Sequence, residues 1–259
     1  MSLNAWGGAL FDRLASWLPS AGADVLCLQE VTRTPGVHGW TRFADDERTL
    51  PQRADLFADV SDVLPRHRAE FAASDRGPVL DHTGRRHWQE FGLATWVAES
   101  VDSRGATAGF VHREFLEHDE WPNGDRPRAV LAVRLRDGGR AISVVQLHGL
   151  RDPAGKGDTP ARRRQAEQLA AFVERIRETD DLCVLCGDLN VLPNSETFAV
   201  LREIGLEDLV GDADTRTSRY AKPIRHASYL LVSDVDAVRN FEVLCEPEVS
   251  DHRALVLEV

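Results

Sequence analysis

Leu182-Cys183-Val184-Leu185-Cys186-Gly187-Asp188-Leu189-Asn190 is a short apolar run bounded by Asp180-Asp181 before it and Pro193-Asn194 after it. An unbroken run of this length, framed by turn formers, predicts a strand buried on both faces. It ends in Gly187-Asp188-Leu189-Asn190, where a carboxylate and a carboxamide stand two residues apart. On an extended backbone that spacing puts both on one side. Gly, Asp and Asn are also ordinary turn residues, so the motif gains meaning only from the rest of the chain.

Working outward, apolar runs and helical spacings alternate as they do in α/β proteins. Leu3 to Trp6 reads as a first strand broken by Gly7-Gly8. Leu10, Phe11, Leu14, Trp17 and Leu18 follow helical spacing, with Pro19-Ser20 as the expected stop. Val25 to Leu28 is a second strand, ending at Gln29-Glu30. Leu56, Val60, Val63 and Leu64 suit a helix from about Gln52 to Leu64, closed by Pro65, and Asp75 to Arg86 reads as a long exposed loop. Phe91 to Ala98 and Ala106 to Val111 resemble sheet strands, and Glu117 to Pro127 another loop. The runs 129–135 and 141–147 flank Asp137-Gly138-Gly139, a hairpin signal. Thr159-Pro160 offers a cap and a first-turn proline for a helix carrying Ala166, Leu169, Ala170, Val173 and Ile176. Phe198, Leu201 and Ile204 mark a shorter helix stopped by Gly205. Strand-like runs at Tyr229–Ser233, 240–244 and 254–259 close the chain. With no repeat, low-complexity tract or linker, one domain over residues 1–259 is expected.

Composition narrows the functional classes. The 259 residues are 42% hydrophobic and 28% charged, with a formal net charge of −11. That balance argues against a surface that grips duplex phosphates throughout, but allows a local basic groove or an acidic site for a divalent cation. No stretch approaches the ~18–20 apolar residues of a membrane helix. The first residues show no basic region followed by an apolar core, so no leader peptide is expected. Cys183 and Cys186 lie inside the proposed buried strand on opposite faces, which disfavours a zinc site. All four cysteines are expected to be small buried hydrophobes, and the location cytoplasmic.

Five apolar runs end in polar residues of related chemistry: Asn4, Gln29-Glu30, His148, Asp188 with Asn190, and Asp251-His252. Singly, each reads as a cap, a strand end or a hydrogen-bonded sheet-edge histidine. Together they can converge, because strand ends gather at one edge of a sheet, where α/β proteins often bind ligands.

In these motifs the chain resembles the endonuclease/exonuclease/phosphatase superfamily, which includes deoxyribonuclease I, exonuclease III-type enzymes, neutral sphingomyelinases and inositol polyphosphate 5-phosphatases. Leu3-Asn4, Leu28-Gln29-Glu30-Val31, Gly187-Asp188-Leu189-Asn190 and Ser250-Asp251-His252 match the family's motifs in order. Any one is weak; four in order are specific. The resemblance implies an α/β fold of four layers, two mixed β-sheets packed face to face with helices outside. One departure stands out. Ala227-Ser228-Tyr229-Leu230-Leu231-Val232-Ser233 carries Ser228 where the family usually has an acid that polarises the histidine of the Ser-Asp-His motif. A hydroxyl fixes the imidazole tautomer but supplies no charge, so weaker activity, another substrate, or a substitute acid at Asp234 or Asp236 is expected. His226 nearby leans towards a surface role.

The resemblance further implies a phosphoester hydrolase using Mg²⁺ or Mn²⁺. Glu30, with Asp251 and Asn4, would hold the metal, as hard oxygen ligands suit these cations. Asp188 would accept the proton of the attacking water and Asn190 would orient it, while His148 and His252 would donate to the phosphoryl oxygens. Arg164, on the helix that echoes the family, is an expected substrate-binding residue. So are Arg86 and Trp88, in a basic and aromatic patch of the kind that can track a strand. The implied partner is a phosphoester: a nucleic acid, a nucleotide or another small phosphodiester. The Leu3-Asn4-Ala5-Trp6-Gly7 start resembles sphingomyelinase-like members and favours a small diester. A phosphomonoesterase, and a catalytically weakened binding module, stand as alternatives.

Overall fold

The strand predicted at 182–188 forms because every one of its residues finds cover. A parallel strand lies on one side and an antiparallel one on the other. The structure, a computed structural model, describes residues 1–178 and 180–259. Its strands are β1 (Ser2–Asn4), β2 (Val25–Arg33), β3 (Trp40–Ala44), β4 (Thr49–Arg53), β5 (His67–Asp81), β6 (Arg86–Ala98), β7 (Asp102–His112), β8 (Leu116–Glu117), β9 (Arg128–Asp137), β10 (Arg140–His148), β11 (Leu182–Asp188), β12 (Glu207–Asp208), β13 (Ser228–Val232), β14 (Asn240–Val243) and β15 (Leu255–Glu258). Four helices accompany them: α1 (Phe11–Ala21), α2 (Leu56–Val63), α3 (Pro160–Ile176) and α4 (Glu196–Glu203).

The strands make two mixed sheets. One runs β14-β15-β1-β2-β6-β5-β3-β4, with β8 added beside β5; the other runs β12-β13-β11-β10-β9-β7. Leu14 and Leu18 of α1 and Leu56 and Val60 of α2 pack with Leu3, Leu26, Leu28 and Trp96 on one face of the first sheet. Ala166, Leu169 and Val173 of α3, with Phe198 and Leu201 of α4, belong to the core of the second. The facing sides of the sheets meet through Ala72, Leu93, Ala129 and Leu131 and through a buried polar bridge. There Gln29 donates to Gln146 Oε1 at 2.9 Å, and Gln146 donates to Thr95 Oγ1 at 2.7 Å. This is the four-layer α/β sandwich that the family resemblance implies.

Several local expectations are corrected. Helix α1 runs through Pro19 to Ala21 and stops at Gly22, whose φ of 60° supplies the left-handed cap. A proline in the last turn forfeits one bond but need not end the helix. Helix α2 begins at Leu56 rather than near Gln52, because residues 49–53 pair with β3 and Asp55 caps Ala58 N at 3.0 Å. The stretch Asp75–Arg86 is no long loop but the end of β5, a short turn and the start of β6. Its polar residues pair with partners far away in sequence: Asp75 is fully buried against Arg126 and His118. The stretch at 117–127 is mainly irregular, yet Trp121 and Arg126 are buried in it. Cys27, Cys183 and Cys186 are buried, whereas Cys245 is exposed. No helix among the described residues is long and apolar enough to cross a membrane.

Candidate active site

In the six-stranded sheet β10 and β11 run parallel, so His148 pairs directly with Asp188 at their C-terminal ends. Ser228 pairs with Asp188 from the other side, at the start of antiparallel β13. In the nine-stranded sheet β1 ends at Asn4 beside Gln29 of β2, and a bulge between Gln29 and Val31 leaves Glu30 unpaired. The bulge keeps Gln29 between the sheets and turns Glu30 towards the cavity they share.

That cavity, of about 460 Å³, is lined by Glu30, His148, Asp188, Asn190, Asp251 and His252. Asn4 Nδ2 donates to Glu30 Oε1 at 3.2 Å and to Asp188 Oδ2 at 3.0 Å, joining the two sheets. Its Oδ1 accepts Trp6 N–H at 3.0 Å. His148 Nε2 is 3.8 Å from Glu30 Oε1 and from Asp188 Oδ2. His252 Nε2 is 3.3 Å from Asp188 Oδ2, and His252 Nδ1 is 2.8 Å from Ser228 Oγ. A carboxylate on the Nε2 side makes Nε2 the protonated nitrogen, so Nδ1 accepts the Ser228 hydroxyl. Ser250 Oγ donates to Asn4 O at 2.6 Å and receives His252 N–H at 3.2 Å, which anchors the Ser-Asp-His stretch to β1.

Backbone strain collects here. Trp6 (φ 53°), Glu30 (φ 56°) and Asn190 (φ 56°) all line the cavity in the left-handed region, a conformation costing about 1–2 kcal/mol for a non-glycine residue. Asn190 therefore joins Asp188 through a turn rather than by strand alternation. Its N–H bonds Asp188 Oδ1 at 3.0 Å, and its Nδ2 lies 3.5 Å from Gly149 O. Gly187 is required by contact: a Cβ there would sit 2.0 Å from Leu147 O, at a φ of 138°.

Electrostatics divide the site. Burial works against the charge of Asp188, but the neighbouring His252, His148, Arg216 and Lys156 outweigh it and hold the carboxyl below the usual range. Burial pushes Asp251 up to about 7; Arg216 opposes the rise, and the fields of Glu30 and Asp188 add to it. Burial, then the Arg128 charge, pushes His148 down to about 4, and burial with Arg216 lowers His252 well below its ordinary value. Both imidazoles are thus neutral at pH 7. Lys156 falls to about 8, chiefly through burial.

Other expected residues lie elsewhere. Arg164 is exposed on the far side of α3 and does not line the cavity. The residue that does is Arg162, which shares the buried helix face with Ala166, Leu169 and Val173. It donates to the carbonyls of Gly157 (2.5 Å), Gly155 (2.8 Å) and Leu150 (3.3 Å), shaping the loop before α3. Counting back four residues from Ala166 finds it. Arg86 stacks on Trp88 at 5.0 Å and bonds Asp119 O, and neither residue lines the cavity. His226 bonds Ala213 O through Nδ1 at 3.2 Å and is not a lining residue either. Asp234 caps a short turn and pairs with Arg140 at 2.6 Å, and Asp236 is exposed, so neither substitutes for the missing acid. The residues missed by sequence are mostly cations, including Arg126, Arg128, Lys156 and Arg216. Arg216 bonds Asp251 Oδ2 at 2.7 Å and lies 4.0 Å above the Tyr220 ring. No local pattern marks them: Arg126, Lys156 and Arg216 come from loops and Arg128 from the first residue of β9, and only the fold brings them together.

Comparisons with known proteins bear on the fold and the family. A putative neutral sphingomyelinase of Drosophila melanogaster is 26% identical over 150 residues, which is 55% of this chain and 33% of that protein. The chain thus matches about a third of the length of this curated relative. Among solved structures, a mannosyl-6-phosphatase of Bacteroides thetaiotaomicron aligns over 99% of this chain and 97% of its own, with TM-score 0.67 and 15% identity. D. rerio TDP2 complexed with a single-strand DNA product aligns over 99% and 96%, with TM-score 0.63 and 14% identity. At such identities the likeness establishes the fold. The pattern of the Endonuclease/Exonuclease/phosphatase family matches residues 1–252, and the chain belongs to that family.

Proposed function

We propose that this chain hydrolyses a small phosphoester with the help of Mg²⁺ or Mn²⁺. The observation that carries the reading is the convergence of Asp188, Asn190, His148 and His252 with Glu30 in one cavity that several arginines and a lysine also line. In a protein of net charge −11, a cavity lined by Arg126, Arg128, Lys156, Arg162 and Arg216 is a local field for an anion.

The residues present fit a hard divalent cation. Glu30 Oε1 receives only Asn4 Nδ2, and Oε2 has no hydrogen-bond donor among the described residues. The repulsion from Glu30 and Asp188 that helps to raise Asp251 is what a bound cation would relieve. Mg²⁺ keeps several of its waters and needs only one or two carboxylates from the protein. Glu30 is the principal ligand in this reading, with Asp251 beside it. Asn4 turns its amide nitrogen to the carboxylates, so it orients them and is not itself a ligand. When bound, the metal neutralises charge on the phosphoryl and leaving oxygens.

The chain's own residues do the rest. Asp188, held ionised, accepts a hydrogen bond from the attacking water and takes its proton as the new O–P bond forms and the bond to the leaving oxygen breaks. Asn190 fixes the water or a phosphoryl oxygen. His252, presenting Nε2–H because Ser228 bonds its Nδ1, donates to the phosphoryl oxygens, and His148 donates from the other flank. A phosphodiester is the first expectation. The cationic wall favours a second reading, a phosphomonoester with its greater charge.

Turnover of bis-p-nitrophenyl phosphate and p-nitrophenyl phosphate with Mn²⁺ tests this. Diester turnover lost in Asp188→Ala establishes a phosphodiesterase, and monoester turnover alone establishes a phosphatase. Millimolar Mg²⁺ or Mn²⁺ should raise the melting temperature through linkage, and Glu30→Ala should remove the rise. No turnover and no metal-dependent stability would leave the binding module.

A further inference from the structure

Arg128 is the one lining cation that the fold leaves unserved among those discussed above. It is 4% exposed, it lines the cavity, and its Nε is buried with no partner. Among the described residues no carboxylate forms a salt bridge with its guanidinium. Its neighbour two residues earlier is the opposite case. Arg126 makes a bidentate pair with Asp75, at 2.6 and 2.8 Å, and lies 4.5 Å from the Phe91 centroid and 4.4 Å from that of Trp121. Burial, reinforced by the Arg126 charge, pushes Arg128 down to about 10 against the fields of Asp75, Glu30 and Asp188. Burying a cation without a partner is among the costliest arrangements a fold can keep. The fields of Asp75, Glu30 and Asp188 offset part of that cost, but among the described residues no carboxylate pairs with the guanidinium, so an anion from outside supplies the partner it lacks.

Sheet geometry says where that anion sits. Across the six-stranded sheet the order is β11, β10, β9, which sets Asp188, His148 and Arg128 along one edge. Adjacent strands are about 4.8 Å apart, so the Arg128 backbone stands roughly 10 Å to the side of Asp188. The reacting phosphoryl group belongs with Asp188, Asn190 and His252. A guanidinium reaching in from β9 meets a different part of the same molecule, and 460 Å³ leaves room for it. We propose that the cavity contains a second anion subsite built on Arg128, and that the substrate carries a phosphate or carboxylate besides the phosphoryl group that reacts. This rests on the hydrolase reading above and narrows it to small bis-anionic phosphoesters.

A choline phosphate ester would bring a cation to a subsite whose partner is an anion, so it should bind more weakly than a bis-anionic phosphoester.

The test compares binding of glucose 1,6-bisphosphate, glucose 6-phosphate and choline phosphate by calorimetry, with and without Mg²⁺, in the wild-type protein and in Arg128→Met. The wild-type protein should prefer the bisphosphate by tenfold or more. Arg128→Met should lose that preference by weakening the bisphosphate tenfold or more and the monophosphate far less, and it should melt at or above the wild-type temperature, since it removes an unpartnered cation. Arg128→Gln serves as the second variant should the methionine protein fail to fold. Equal weakening of both sugar phosphates would place Arg128 on the reacting phosphoryl and overturn the subsite. A lower melting temperature with unchanged binding would make Arg128 structural, and choline phosphate binding as tightly as the bisphosphate would also refute the proposal. Because binding is read without turnover, loss of the hydrolase reading would show separately, as inactivity on the nitrophenyl esters with the binding preference intact.

Discussion

Ser228 sits 2.8 Å from His252 Nδ1, in the position from which a carboxylate would charge the imidazole, and it leaves the ring neutral. Its hydroxyl is worth about 1–1.5 kcal/mol as a hydrogen bond, which corresponds to roughly tenfold in rate. Ser228→Ala should therefore lower kcat about tenfold with little change in KM. Ser228→Asp should raise kcat, because a paired carboxylate strengthens the donor that faces the phosphoryl oxygens. Steady-state kinetics on one nitrophenyl ester reads both. Asp75 makes a different, purely conformational prediction. Burial opposes its charge, but Arg126 and then His118 hold its carboxyl at about 2. A folded value below the unfolded one of about 3.9 means this stability is fully present above pH 4 and is lost as the pH falls towards 2. The shift is worth on the order of 2 kcal/mol. Thermal melts from pH 5 to pH 2 should show that loss, and Asp75→Asn should flatten it while costing about 3–5 kcal/mol at neutral pH by stranding Arg126.

At the scale of elements, the turns that end β2 and β11 are where local preference gives way to the site. Asn190→Gly should stabilise the fold by up to about 1 kcal/mol, because glycine adopts the left-handed backbone without strain, and should abolish turnover. Gly187→Ala should cost more than about 3 kcal/mol, since its Cβ would collide with the Leu147 carbonyl. Denaturant midpoints separate the two. These contrasts also explain what the sequence revealed. The run 182–188 was legible because both its faces are apolar, the hairpin because Asp137-Gly138-Gly139 permits only a turn, and α3 because Thr159 accepts Arg162 N–H at 3.2 Å. The β5–β6 pair was not, because a strand carrying Asp75, Arg76 and Asp81 looks like a loop until Arg126 and His118 arrive from about fifty residues away. Arg164 matches the family's motif position, yet the helical period places Arg162 and not Arg164 on the buried face. The carboxylates and histidines of the site sit in short motifs and could be read. Its cations come from separate loops, from the start of β9 and from α3, and their convergence is a property of the whole fold.

At the scale of the molecule, a net charge of −11 surrounds a cavity rich in arginine and lysine, and the two fields act on an incoming anion with opposite sign. Their ranges differ. A chain of this length has a radius of gyration of about 18 Å. At 0.01 M salt the Debye length is about 30 Å, so the approaching substrate feels the whole negative protein. At 0.15 M it is about 8 Å, and only the groups lining the cavity act. Raising salt from 0.01 M should therefore first increase kcat/KM for a small anionic phosphoester, as the global repulsion is screened. Beyond about 0.15 M it should decrease, as the cavity cations are screened in turn. A protein that reads a long nucleic acid through its surface would behave otherwise, losing affinity steadily with each increment of salt as counterions are released. Measuring kcat/KM against ionic strength at fixed metal concentration distinguishes the two. A maximum near physiological salt points to a small anion entering a local funnel, and a steep monotonic fall would point to a polyanion track outside the cavity.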